Sequence, residues 1–158
     1  MVGGNNETTG ADLEDMLKKV KSFKGVFVKD EEVAIKRALG VTPPSDMRGR
    51  NPSFVIINLN GQSHWCVLAR NKSKWYWFDP FGFAAPLEIE YIIPHDYIYS
   101  SDEIQDINTS SCGFYCVAFI KFMDKFGMTL PSYNKFQDTF KKMPQHNEAI
   151  LAKMLEHF

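Results

Sequence analysis

The chain has 158 residues, 44% hydrophobic and 14% aromatic, which is enough apolar matter for one folded domain and too much for a disordered one. Its 18 Lys and Arg against 19 Asp and Glu leave a formal charge of −1, so no overall basic field draws it onto nucleic acid. No apolar run reaches the ~18 residues of a membrane span, no secretory pattern opens the chain, and three cysteines make no disulfide framework, so the expected setting is a reducing interior, cytoplasmic or nuclear.

Residues 1–10, rich in Gly, Asn and Thr, read as a flexible leader, and 11–158 as a single domain. From Ala11 a helical period takes over: Leu13, Met16, Leu17 and Val20 follow i, i+3, i+4, i+7, with Thr9 and Asp12 placed as a cap. The lysines at 18, 19, 21 and 24 read as the solvated face of a helix; a second basic cluster stands at Arg70, Lys72 and Lys74, and any DNA contact would be auxiliary. A second short helix is predicted over 30–39, ending at Gly40. Residues 42–52, with Pro43, Pro44, Gly49 and Pro52, form a loop. Residues 54–59 are a continuous apolar run rich in β-branched side chains, predicting a strand buried on both faces. A turn at Asn60-Gly61 leads to a strand over 65–69, and a turn at 71–73 leads to another over 74–78, giving an antiparallel meander. Residues 89–93 read as a further strand. Residues 112–126 form a helix apolar nearly all round, through Phe114, Val117, Phe119, Ile120 and Phe122, stopped by Gly127 and therefore buried centrally. Two more helices are expected, over 132–142 and from Pro144 to the end. The fold class is α+β: a small, mainly antiparallel sheet packed against a buried helix, with flanking helices.

Cys112 follows the cap-rich run Asn108-Thr109-Ser110-Ser111 and opens the buried helix. A thiol at a helix start faces unpaired N–H groups and the positive end of the dipole, which favours the thiolate. Gly113 leaves room there for a substrate backbone. Cys66, mid-strand, and Cys116, one turn into the helix, read as inert core thiols. His64 stands at the entry of the second meander strand and Asp79 at the exit of the third. In an antiparallel pair those ends meet at one edge, so the carboxylate can hold one ring nitrogen while the other faces the thiol. His95, His146 and His157 have no such partners and read as surface residues. Gln105, seven residues before Cys112, lies in a polar stretch leading into the helix, where its amide can join the Cys112 N–H in holding an oxyanion. The Cys112/Cys116 spacing is not a zinc pair, no His/Cys cluster is visible near it, and no phosphate loop occurs, so no metal or cofactor is expected.

Three segments together, Gly61-Gln62-Ser63-His64-Trp65, Trp77-Phe78-Asp79-Pro80-Phe81-Gly82, and Gln105 through Ser111-Cys112-Gly113-Phe114-Tyr115-Cys116, resemble the adenain family of adenovirus maturation endopeptidases. More broadly they resemble the clan that includes the SUMO-deconjugating proteases. The adenain-like proteases of virophages and Maverick/Polinton elements look closest. The resemblance is strong over residues 54–123. It implies a cysteine endopeptidase whose triad is His64, Asp79 and Cys112, with Gln105 in the oxyanion hole and the nucleophile heading a central helix. The order His, Asp, Cys differs from the papain group, in which Cys comes first. Adenovirus enzymes usually carry Glu where this chain has Asp79, whereas Asp is usual in the SUMO-protease branch. No cysteine lies between Asp79 and Gln105, so the disulfide-linked peptide activation of adenain is not expected here.

The implied reaction is cleavage of viral capsid or core precursors after small residues, chiefly Gly, by a monomer in the virion and host cell interior. Trp65 and Gly113 are expected to line the substrate channel. The alternatives are deconjugation of SUMO or ubiquitin-like modifiers, and a catalytically silent packaging module. Met1-Val2-Gly3-Gly4 matches the kind of site such enzymes cut, although a plain flexible leader is the favoured reading.

Overall fold

In the computed structural model, which describes residues 8–41, 52–59, 64–106 and 109–158, the cap expected at the first helix is formed. The Asp12 N–H donates to Thr9 Oγ1 at 3.1 Å, and the Thr9 N–H donates to the Asp12 carboxylate at 3.0 Å. Both orphan donors are thereby satisfied, and α1 runs over Gly10–Leu17. Within the expected leader Thr8 is buried, Thr9 is exposed and caps α1, and Gly10 opens the helix. The Met1-Val2-Gly3-Gly4 motif, the Asn60-Gly61 turn and most of the 42–52 loop lie outside the described residues.

A strand that the apolar pattern does not announce, β1 at Phe23–Val28, follows α1. It lies at the edge of the sheet and is only half-buried, and Gly25 sits in left-handed backbone (φ 133°) at a break in its register. Helix α2 spans Glu32–Ala38, and Gly40 then takes a positive φ of 73°. The meander is present as expected: β2 at Ser53–Asn58, β3 at Trp65–Asn71 and β4 at Lys74–Phe78.

Residues 89–93 are not a strand. Leu87–Glu90 is a short helix, α3, behind Pro86. Ile89, Ile92 and Ile93 are buried at i, i+3, i+4, a helical spacing rather than an alternating one. The fifth strand, β5, is the two-residue Ile98–Tyr99. Helix α4 spans Cys112–Phe126 and ends at Gly127 (φ 97°). Helix α5, Leu130–Thr139, begins earlier than expected because Thr129 caps it, accepting from the Ser132 N–H at 3.2 Å. A single 3₁₀ turn at Pro144–His146 precedes α6, Asn147–His157.

The five strands lie in the order β1-β2-β3-β4-β5. β1 is parallel to β2 and β4 to β5, while β2, β3 and β4 are antiparallel, so the sheet is mostly antiparallel. Strand alternation sorts the side chains into two layers. Val55, Ile57, Cys66, Leu68, Trp75 and Trp77 face Ile35 of α2, Leu39 just after it and Ile89 of α3. Phe54, Ile56, Trp65, Val67 and Phe78 face α4, joined by side chains from α1, α5 and α6. Phe119 anchors α4: its ring stacks on Phe78 at 4.6 Å and meets Phe136 edge-on at 5.3 Å. A ring buried this way stabilises the fold by about 1.5–3 kcal/mol, and it fixes where the first turn of α4 meets the sheet. Among the described residues, no helix is long and apolar enough to cross a membrane.

Candidate active site

Helix α4 packs on β3, and two sulfurs one helical turn apart bracket the main chain of a single residue at the start of that strand. The Trp65 N–H donates to Cys112 Sγ at 3.4 Å, and the Cys116 thiol donates to the Trp65 carbonyl at 3.3 Å. Cys112 is thus seated beside His64, the residue preceding Trp65. The other partner arrives through the β3–β4 hairpin. Its register pairs Asn71 with Lys74 and Val67 with Phe78, and one further step sets Cys66 opposite Asp79. His64 Nε2 lies 3.1 Å from Asp79 Oδ2.

The motif around Asp79 holds that carboxylate in place. Asp79 Oδ1 accepts from the Phe81 N–H at 2.8 Å, and the Asp79 carbonyl accepts from the Gly82 N–H at 2.8 Å. The Phe81 ring stacks on the imidazole of His64, centroids 5.0 Å apart at 14°. Gly82 has φ 82°, and a Cβ there would stand 2.6 Å from the Ser101 carbonyl oxygen, so no side chain fits. The Pro80 carbonyl accepts from the N–H groups of both Ile104 and Gln105, each at 3.0 Å. The segment leading to the nucleophile is thereby fastened to the loop that carries the acid.

Burial alone lowers the basicity of His64, but the hydrogen bond to Asp79 and the one to Cys112 outweigh it, and the imidazole is pushed up to about 9. His64 therefore carries its proton at neutral pH, in hydrogen-bonding contact with Asp79 and Cys112.

Gln105 is fully buried, and its Nε2 donates to Thr109, at 3.3 Å to the carbonyl and 3.1 Å to the hydroxyl. Its Oε1 has no hydrogen-bond partner among the described residues. The amide donor expected at an oxyanion is in this state turned onto Thr109. Rotation about the terminal torsion would exchange the two near-isosteric ends and free it. Trp65 contributes its main chain, while its side chain is buried in the core. The space beside Gly113 is filled by the chain itself: Thr8 occupies it, and Leu13 Cδ2 lies 3.1 Å from where a Cβ would be.

Ser111, expected as a cap, caps nothing with its side chain. Its hydroxyl donates instead to Glu148 Oε1 at 2.6 Å, and the Tyr115 hydroxyl donates to Glu148 Oε2 at 2.9 Å. Burial, then the Glu148 carboxylate, pushes the Tyr115 phenol far above its ordinary range. Glu148 of α6 thus clamps the residue before the nucleophile, a role its place in the sequence does not announce. Substituting Glu148→Ala strands both hydroxyls and should lower stability by about 2–4 kcal/mol, read as a lower urea midpoint with unchanged slope.

Cys66 is the second residue that sequence reasoning missed. Its Sγ lies 3.6 Å from His64 Nε2, and burial pushes its thiol well above the ordinary range. The donor atoms of His64, Cys66 and Asp79 all lie within 4.8 Å of one another, which corrects the expectation that no His/Cys cluster stands near the nucleophile. The available signal was the two-residue spacing from His64, which stands just before β3.

No family model matches the chain. A protein named "Protease" from Bovine adenovirus 2 is 27% identical over 126 residues, taking in 58% of this chain. The chain spans only 61% of that relative's length. Among solved structures, the central domain of the uncharacterized Lpg1148 protein from Legionella pneumophila superposes with a TM-score of 0.56, covering 97% of this chain and 96% of that one. At 20% identity, that likeness establishes a shared fold.

Proposed function

We propose that the chain is a cysteine endopeptidase of the adenain type, with Cys112 as nucleophile, His64 as general base and acid, and Asp79 as its orienting carboxylate. The observation that carries this reading is one imidazole held at 3.1 Å by Asp79 while hydrogen-bonded to the sulfur that heads α4. The adenovirus relative, over the part it shares, supports a viral protease.

In this reading the Cys112 thiolate attacks the scissile carbonyl carbon, forming a C–S bond as the carbonyl electron pair moves onto oxygen. The Cys112 N–H, joined by the Gln105 amide once it has turned from Thr109, stabilises that oxyanion. His64 gives its proton to the departing amine, the C–N bond breaks, and an acyl-enzyme remains. Neutral His64 then takes a proton from water as its oxygen attacks the thioester carbonyl; the C–S bond breaks, the carboxylic acid leaves, and the thiolate–imidazolium pair returns. The substrates proposed are capsid or core precursors cut after Gly, in the virion or host cell interior, as in the adenain-like enzymes of virophages and Maverick/Polinton elements.

The test is cleavage of a peptide library, read by mass spectrometry. Cuts concentrated after Gly support the proposal. Processing only of folded SUMO or ubiquitin-like conjugates would favour deconjugation, and no cleavage together with no labelling by a peptide vinyl sulfone would favour a silent packaging module.

A further inference from the structure

Catalysis by a Cys, His and Asp triad has no use for a second thiol on the Asp79 side of the imidazole, yet Cys66 is there, fully buried, with its sulfur aimed at the same nitrogen that Asp79 holds. Cys66 is also in hydrogen-bonding contact with Asp79. Three donors of different elements thus converge: an imidazole nitrogen, a thiol sulfur and a carboxylate oxygen.

We propose that His64 Nε2, Cys66 Sγ and a carboxylate oxygen of Asp79 form an inhibitory site for Zn2+. The inference concerns regulation of the site described above and rests on that functional reading. Tetrahedral zinc, at its usual bond lengths, sets nitrogen and sulfur ligands about 3.6 Å apart and nitrogen and oxygen ligands about 3.4 Å apart. The corresponding separations here are 3.6 Å and 3.1 Å, so a metal replacing the shared proton needs little movement of the ligands. The donor set, with one thiolate and one imidazole, selects a borderline-soft ion and disfavours Mg2+ and Ca2+. The outer arrangement also suits a metal. Asp79 Oδ1 is already fixed by the Phe81 N–H at 2.8 Å, and His64 is itself in hydrogen-bonding contact with Cys112, so both ligands have partners that can orient them. The His64 side chain is 20% exposed, which gives the ion a way in.

Binding releases two protons, one from Nε2 and one from the Cys66 thiol, as the metal takes the nitrogen lone pair and the thiolate. The imidazole is then neutral, with metal on one nitrogen and a proton on the other. It has no lone pair to accept a proton and no contact with Asp79 except through the metal. Such a ring cannot cycle between base and acid, and turnover stops. The three ligands leave a fourth position for water.

Co2+ serves as the spectroscopic probe, because thiolate ligation produces a charge-transfer absorption that nitrogen and oxygen ligands do not. The Cys112→Ala chain should take up one Co2+ with that absorption, and the signal should vanish in Cys112→Ala chains that also carry Cys66→Ala or Cys66→Ser and keep the same circular dichroism. No thiolate absorption in Cys112→Ala, or absorption that survives loss of Cys66, overturns the site. Because these chains lack the nucleophile, the result does not depend on whether the protein is a protease. In chains that retain Cys112, Cys66→Ala should raise the Zn2+ concentration needed for half-inhibition by about tenfold or more. Equal sensitivity of the wild type and Cys66→Ala would also overturn the proposal.

Discussion

Replacing Cys112 with alanine lowers kcat/KM for peptide cleavage by about 10⁴-fold or more, essentially to background. The sulfur forms the new bond in the proposed mechanism, and no other group can substitute for it. Cys116 is one turn inside α4, fully buried and donating to the Trp65 carbonyl at 3.3 Å. Cys66 lies on the opposite face of the sheet from α4, among Ile57, Leu68 and Trp77. Burial holds both of these thiols well above their ordinary range, so neither offers a thiolate at neutral pH. The fold should survive the substitution. Alanine fits the first position of α4, and the main structural loss is the sulfur that accepts from the Trp65 N–H at 3.4 Å, worth about 1 kcal/mol. A matched melting curve with no cleavage is therefore the expected result. Cleavage persisting in Cys112→Ala would refute the mechanism outright.

Asp79→Asn lowers the rate at neutral pH by about 10²- to 10⁴-fold and moves the alkaline limb of the pH–rate profile toward acid. In the wild type, His64 keeps its proton until about pH 9, so activity that needs the imidazolium falls away there. Burial lowers the His64 value and Asp79 raises it, so an uncharged amide leaves burial opposed by Cys112 alone, and the proton is lost at lower pH. Stability follows the same sign. The folded-state value lies above the reference of 6.5, so the contribution of the pair is complete below pH 6.5 and is lost as pH rises through about 9. Thermal melts of the wild type should show that loss, and melts of Asp79→Asn should not. Proton NMR of the His64 ring would give the two titrations directly. An unchanged alkaline limb in Asp79→Asn would mean that the carboxylate does not set the charge of His64.

The conspicuous parts of this site are legible because they rest on short-range rules. A two-residue turn at Lys72-Ser73, with Lys72 at φ 58°, locks Asn71 opposite Lys74. Every pair down the hairpin then follows by arithmetic, which brings His64 and Asp79 to one end. Where two patterns compete, the sequence misleads. Isoleucines at 89, 92 and 93 carry β-branched propensity, but their spacing is helical and a helical turn forms. Strand β1 escapes notice because it is an edge strand only half-buried, and Gly25 interrupts its alternation.

By itself the amino-acid order determines the α+β class, the meander, the buried helix headed by Cys112, and the meeting of His64 with Asp79. All of these follow from apolar periodicity and hairpin register, which act between near neighbours. Only the tertiary structure decides that Thr8 and Leu13 fill the room beside Gly113, that Glu148 clamps Ser111, that the Gln105 amide turns to Thr109, and that Cys66 joins the imidazole. Each of these depends on where a side chain points once separate elements have packed. That direction is set by which neighbours exclude water and supply the missing hydrogen bond, and no local pattern encodes those neighbours.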